Sequence, residues 1–254
     1  MNKTVTINPK FSNDTQLQTL IEGLPESFES GGIMLWNKRN QIKDFGNIVV
    51  KRFKQPNWLQ KSVYAIRKHK VRKAFENGLE LIRRGFDTPE PIAAVELRDG
   101  FLLKEAYYFS RPDHAHGIKE LTDCDDWNKP LATAFARFAA QLHQAGILHH
   151  DLNNTNVLYK LAGNGTDFHF SLIDINRMTF YPIGQQIPLT DCLENLTRFT
   201  GRMDLFEFVV REYAKARNMD EAWVTGLGVA QKKQHDRNWY RRKRFTRLFK
   251  KKKK

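Results

Sequence analysis

The chain has 254 residues, 41% of them hydrophobic, with 18 Phe and 5 Trp. That is ample for a packed core, in one large domain or in two small lobes around a cleft, and it argues against global disorder. Two cysteines, Cys124 and Cys192, lie far apart and outside any metal-ligand spacing. They argue against a disulfide framework and fit a reducing cytosol. The N-terminus lacks the apolar run of a signal peptide, and no stretch approaches the ~20 apolar residues that cross a bilayer. A cytoplasmic protein, soluble or peripheral to a membrane, is expected.

The net charge of +14 is unevenly spread. Residues 237–254 hold eleven Lys or Arg and no acid, which leaves 14 − 11 = +3 for the rest. Trp239, Tyr240, Phe245, Leu248 and Phe249 interleave with those cations. The segment reads either as a solvated helix end with a frayed lysine run or as an attachment to an anionic membrane surface. Nucleic-acid binding is disfavoured, because a tail alone lacks a recognisable reading module.

In chain order, Gln41–Phe45 and Asn47–Phe53 flank Gly46 as a strand hairpin. Strand alternation puts Lys51 on a partly apolar face with Val49 and Phe53. A helix follows over about Lys68–Arg84, with Val71, Phe75, Leu79 and Ile82 as its apolar stripe and Gly85 as its stop. Ile92–Leu97 and Phe101–Phe109 are strands joined at Asp99-Gly100, and the polar stretch Ser110–Gly117 separates two lobes. Lys129–Ala145 is a helix with Leu131, Phe135, Phe138 and Leu142 on one face. Asn156–Leu161 and Phe168–Ile173 form a second hairpin. Met203–Arg217 and a segment from about Lys232 are further helices. The layout is α+β and bilobal, with a small β-rich N-lobe carrying one main helix and a larger helical C-lobe. The expected divisions are residues 1–112, 113–236 and a basic aromatic tail at 237–254.

The chemistry concentrates in Gly-Ile-Leu-His-His-Asp-Leu-Asn-Asn-Thr-Asn-Val-Leu at 146–158 and Ser-Leu-Ile-Asp at 171–174. An Asp five residues before an Asn, with a second acid beyond a hairpin, is what phosphoryl transfer from ATP needs. Asp151 is the candidate base or hydroxyl-orienting carboxylate. Asn156 and Asp174 are the candidate magnesium ligands, since Mg2+ takes hard oxygens and few carboxylates. His149 is a candidate catalytic group that either acts as a base or braces the loop. Lys51 is the candidate phosphate-binding lysine, with Lys43 and Lys54 as competitors. Its partner carboxylate should come from the helix, from Glu76 or Glu80. There is no G-x-G-x-x-G. Gly31-Gly32, or the turn Asn37-Lys38-Arg39-Asn40, would have to cover the phosphates through amides and cations.

These two motifs resemble the lipopolysaccharide kinases that phosphorylate Kdo or heptose sugars of the inner core. So do Val-Val-Lys-Arg-Phe at 49–53 and Arg-Gly-Phe-Asp-Thr-Pro-Glu-Pro at 84–91. The similarity runs from about Glu29 to Ala216. It implies a protein-kinase-like fold, ATP with Mg2+, and a sugar hydroxyl on an anionic glycolipid at the inner membrane of a Gram-negative cell. It assigns Lys51 as the small-lobe lysine with Glu76 as partner, Asp151 as the catalytic Asp, and Asn156 and Asp174 as metal ligands. His150 stands where protein kinases usually have Arg, and Asn176 replaces the Gly of Asp-Phe-Gly. Both point away from regulated protein substrates. An atypical protein kinase and a membrane-docked pseudokinase scaffold are the competing readings.

Overall fold

The computed structural model describes residues 2–54, 69–163 and 167–251, the last seven by backbone alone. The chain forms two compact units. Residues 1–114 and 171–177 make the first, and 115–170 and 178–254 make the second.

The first unit is built on an antiparallel six-stranded sheet, in the order β1 (Asn2–Ile7), β5 (Pro91–Asp99), β6 (Leu102–Ser110), β4 (Val49–Arg52), β3 (Gln41–Asp44) and β2 (Ile33–Asn37). The hairpin expected around Gly46 is present, with Lys51 opposite Ile42 and Lys43 opposite Val50. One face of the sheet carries Val50, Ala93, Val95, Leu97, Tyr107 and Phe109. It packs against Phe11, Leu17, Ile21 and Phe28, which come from a short helical turn at Pro9–Phe11 and from α1 (Thr15–Glu22) and α2 (Glu26–Ser30). These two helices are absent from the sequence reading, which saw one helix in the lobe. Their local signals are short: Asp14 caps α1 by accepting from the Leu17 amide at 3.0 Å, and each helix offers only one or two buried apolar residues.

The main helix of this unit is α3 (Lys70–Arg83). Its buried face is Val71, Ala74, Phe75, Gly78 and Leu81, a stripe rotated from the expected one, so that Ile82 is exposed. Gly78 sets the rotation. A Cβ there would stand 2.5 Å from Pro91 Cγ and 3.1 Å from Ile175 Cδ1, so the helix approaches β5 along a line only glycine allows. Glu76 falls on the exposed side as a result.

In the second unit, α4 (Glu120–Asp123) is followed by α5 (Lys129–Gln144), which is capped by Asn128, whose side chain accepts from the Leu131 amide at 2.9 Å. It buries Leu131, Phe135, Phe138 and Leu142 as expected. Phe135 stacks on Phe199 and Phe138 on Phe170. Helix α5 packs on α7 (Met203–Ala216), which packs on α8 (Glu221–Lys251). Between them in sequence comes α6 (Leu189–Leu196). Two small sheets complete the unit, β7 (His116–Gly117) with β9 (Val157–Leu161) and β10 (Phe168–Leu172), and β8 (Ile147–His149) with β11 (Met178–Phe180). The described part of the expected tail, residues 237–251, is continuous with α8, which starts at Glu221 rather than near Lys232. Gly226 and Gly228 hide that start from propensity. Gly228 is a close-packing glycine, since a Cβ there would meet Val210 at 3.1 Å.

Gly78→Ala should therefore lower the melting temperature, although alanine is the better helix former by about 1 kcal/mol. Overpacking against Pro91 is expected to cost about 1–3 kcal/mol. A rise in melting temperature would show that α3 can shift to accept a methyl group.

Candidate active site

In the first unit, Lys51 and Asp174 meet. Lys51 lies on the sheet face opposite the Val50 cluster, with its ammonium 5.2 Å from the centroid of the Phe53 ring. Its Nζ is 2.7 Å from Asp174 Oδ1. Asp174 has φ +56, a conformation that non-glycine residues hold only where the surroundings impose it. The surroundings here are explicit. The Leu172 amide donates to the Asp87 carbonyl at 3.0 Å and the Thr88 hydroxyl to the Leu172 carbonyl at 2.7 Å. Asn77 of α3 donates to the Ile175 carbonyl at 2.7 Å, and Asn176 donates to Asp174 Oδ1 at 2.9 Å.

The competitors of Lys51 have other places. Lys43 is buried on the opposite face, where its ammonium donates to the carbonyls of Phe28, Glu29 and Gly31 at 2.6–2.9 Å. It caps the C-terminal carbonyls of α2. Lys54 follows the strand, and its amide donates to Asn40 Oδ1. The carboxylate on Lys51 is that of Asp174, while Glu76, the expected partner, lies on the exposed side of α3. Glu80 holds Arg83 and Arg84, whose hydrogen bonds draw its carboxyl down to about 2. The helix-to-sheet ion pair runs in the reverse sense, from Arg72 of α3 to the buried Glu96 of β5 at 3.2 Å.

Gly31-Gly32 tucks beneath the Phe45 ring, which a Cβ on either residue would strike within 3 Å. The pair therefore serves packing. The turn Asn37-Lys38-Arg39-Asn40 joins β2 to β3, closed by the Lys38 amide donating to the Asn40 carbonyl at 3.2 Å. Arg39 belongs to a basic cluster. Burial, then the charges of Arg39 and Arg177, hold the Lys70 ammonium below its usual range, and Asp174 partly restores it. Lys70 stands at the first position of α3, whose first turn carries no acid. Cations gathered at the positive end of a helix suit a phosphate. Sequence reasoning passed over Lys70 because nothing local distinguishes it from other helix lysines.

In the second unit, residues 150–156 form a loop between β8 and β9, held by side chains of its own and by His149. His149 is fully buried. Its Nδ1 accepts the Asp151 amide at 3.2 Å, which fixes the backbone at Asp151. The Asn156 side chain donates to the Asp151 carbonyl at 2.9 Å, which leaves its own Oδ1 as a hard oxygen acceptor. Asp151 Oδ1 accepts from Asn153 at 3.2 Å and lies 3.7 Å from Arg198 Nη1.

A buried polar chain supports this loop from behind. Asn195 Nδ2 donates to the His149 carbonyl at 2.7 Å, so its Oδ1 must accept from His143 Nε2 at 3.0 Å. His143 Nδ1 then accepts from the Tyr213 hydroxyl at 2.9 Å, which in turn accepts from Arg217 at 2.7 Å. Each donor has one acceptor, and the imidazole is neutral with its proton on Nε2. Burial lowers His143 to about 4. Spacing alone could not reveal Asn195 or Tyr213, which reach His143 from two other helices.

Protonation of His143 would break this chain, and the sign follows. A base whose folded pKa of about 4 lies below its ordinary 6.5 gives stability that is complete above pH 6.5 and is lost as pH falls toward 4. His69, also buried and lowered to about 4, adds to the same window. Urea titrations should show stability falling by about 3 kcal/mol per histidine between these limits. The loss should shrink in His143→Gln. An unchanged pH slope in that variant would contradict the neutral relay.

The sequence and the fold both match known proteins. The model of the lipopolysaccharide kinase (Kdo/WaaP) family matches residues 39–199. The 3-deoxy-D-manno-octulosonic acid kinase of Xanthomonas axonopodis pv. citri (strain 306) is 33% identical over 98 residues, 39% of this chain and 37% of that protein. The alignment thus spans little more than a third of that relative's length. The kinase of the same name from Xylella fastidiosa (strain 9a5c) is 27% identical over 199 residues, 72% of this chain and 74% of that one. The solved structure of WaaP in complex with acyl carrier protein superposes with a TM-score of 0.52 at 15% identity, covering 92% of this chain and 99% of that one. That likeness shows the fold, which is protein-kinase-like. With more than half its length matched, from the Arg39 turn through the Asp151 loop to Phe199, the chain belongs to the lipopolysaccharide kinase (Kdo/WaaP) family.

Proposed function

We propose that the protein is an ATP-dependent kinase that phosphorylates a sugar hydroxyl of the lipopolysaccharide inner core, on Kdo or heptose. One observation carries the reading: the family match at 39–199 encloses Arg39, Asn40, Lys51, Glu76, His149, Asp151, Asn156 and Asp174. The names of the matched relatives favour Kdo over heptose as acceptor.

In this reading Lys51, with Arg39 and Lys70, binds the ATP phosphates. Asp174 and Asn156 suit magnesium, because each offers an oxygen donor whose orientation is fixed by the bonds described above. Magnesium, when bound, neutralises charge on the phosphate oxygens. Asp151 orients the acceptor hydroxyl and takes its proton as the oxygen attacks the γ-phosphorus and the bond to ADP breaks. His149 and Asn195 hold Asp151 in place without touching substrate. The segment 237–254 attaches the enzyme to an anionic membrane surface. The exposure of Trp239 and Tyr240 supports this, and among the described residues no helix is long and apolar enough to cross a membrane.

Asp151→Asn should lower kcat by about 10²–10⁴-fold while ATP binding, measured by titration, stays within twofold. Turnover close to that of the parent would remove Asp151 from its role. Truncation after Arg244 should weaken binding to anionic vesicles, more steeply at low salt than at high. Unchanged vesicle binding would show that the basic segment is not an anchor.

A further inference from the structure

Glu194 of α6, Arg198 and six residues of α8, all in the second unit, line a cavity of about 370 Å³, most of whose wall lies beyond the family match at 39–199. We propose that this cavity is an acidic-sugar site serving the acceptor, a reading that rests on Asp151 as the carboxylate that orients the acceptor hydroxyl. The volume is that of a small-ligand pocket. Its wall includes Arg198, Gln231, Gln234, His235, Trp239 and Arg242.

Position is the first argument. Arg198 lines the cavity and lies 3.7 Å from Asp151 Oδ1, so one side chain joins the wall to the proposed reacting group. Composition is the second. Gln231 and Gln234, with Asn238 beside them, supply the paired donors and acceptors that a ring of hydroxyl groups requires. Gln231 already spends its amide hydrogen on the Thr190 carbonyl at 3.2 Å. Its buried Oε1 has no hydrogen-bond partner among the described residues, and an unmet buried acceptor costs stability until a donor arrives. Trp239 is 47% exposed and presents a flat apolar surface suited to the carbon–hydrogen face of a sugar ring.

Charge is the third argument. The wall holds two arginines, Arg198 and Arg242, and one acid, Glu194, and Lys243 adds an ammonium 4.4 Å from the centroid of the Trp239 ring. Guanidinium groups match a carboxylate in two-point geometry. Amides, an aromatic face and two arginines together select a sugar that carries a carboxylate over a neutral one. The first turns of the basic segment thus add a binding wall to the role proposed for the segment at a membrane surface.

The test titrates the full-length protein with free 3-deoxy-D-manno-octulosonic acid, following tryptophan fluorescence, with methyl mannoside as the neutral comparator. Saturable binding of the acid is expected, with at least tenfold weaker binding of the neutral sugar. Arg242→Gln should weaken the acid at least tenfold, and Trp239→Phe should remove the signal. Both side chains are at the surface, so the core is spared. In turnover assays Arg242→Gln should raise the acceptor KM at least tenfold with kcat and the ATP KM within twofold. Equal binding of the acid by parent and Arg242→Gln overturns the proposal. So does an Arg242 effect seen only with anionic vesicles, which would assign the cavity to a lipid headgroup. If the parent transfers phosphate to no sugar yet Arg242-dependent binding persists, the kinase reading fails and the acidic-sugar site stands.

Discussion

The ion pair between Lys51 and Asp174 constrains the rest of the first unit. Its members are 123 residues apart in sequence, so the chain must leave the sheet, complete much of another unit and return for seven residues. Those residues, 171–177, belong with the first unit and not with their neighbours. The positive φ at Asp174 is a local cost of order 1–3 kcal/mol. It is met by bonds from Asp87, Thr88, Asn77 and Asn176. Gly78 matters for the same reason, since only a bare Cα lets α3 close on Pro91 and Ile175.

The second unit solves a different problem. The loop proposed as catalytic must expose carboxylate and amide oxygens while its backbone stays fixed without strand or helix bonds. Here polar side chains do the fixing, from His149 beneath Asp151 through Asn195, His143 and Tyr213 to Arg217. Such a chain is stable only when every member is satisfied and the imidazole is neutral. It ties the loop to α5, α6 and α7, so packing among helices becomes a determinant of where Asp151 points.

Much of this was legible in the sequence, and the exceptions have physical causes. The β3–β4 hairpin, the helix from Lys129 and the strand after Asn156 carried clean periodicity and glycine stops, and they lie where expected. The proposed loop residues Asp151 and Asn156 and the acid Asp174 stood out by spacing alone. Lys51 is held by Asp174 and Glu76 lies on the exposed side of α3, an orientation that a stripe of apolar residues does not encode. Lys43 resembled Lys51 in sequence but faces the other side of the sheet, a difference of register. Lys70, Asn195 and the α6–α8 cavity have no local signature, since each gains meaning from residues distant in the chain. The start of α8 was hidden by Gly226 and Gly228, of which Gly228 serves close packing against Val210.

Membership of the lipopolysaccharide kinase (Kdo/WaaP) family underlies the proposal of phosphate transfer from ATP to a sugar of the lipopolysaccharide core. The most direct measurement incubates the protein with labelled ATP and magnesium in a Gram-negative envelope extract, then separates lipid from protein. An Asp174→Ala enzyme serves as the control. Label in the glycolipid fraction, absent with the variant, is the predicted result. Label confined to protein, or glycolipid label that persists with Asp174→Ala, would contradict the account.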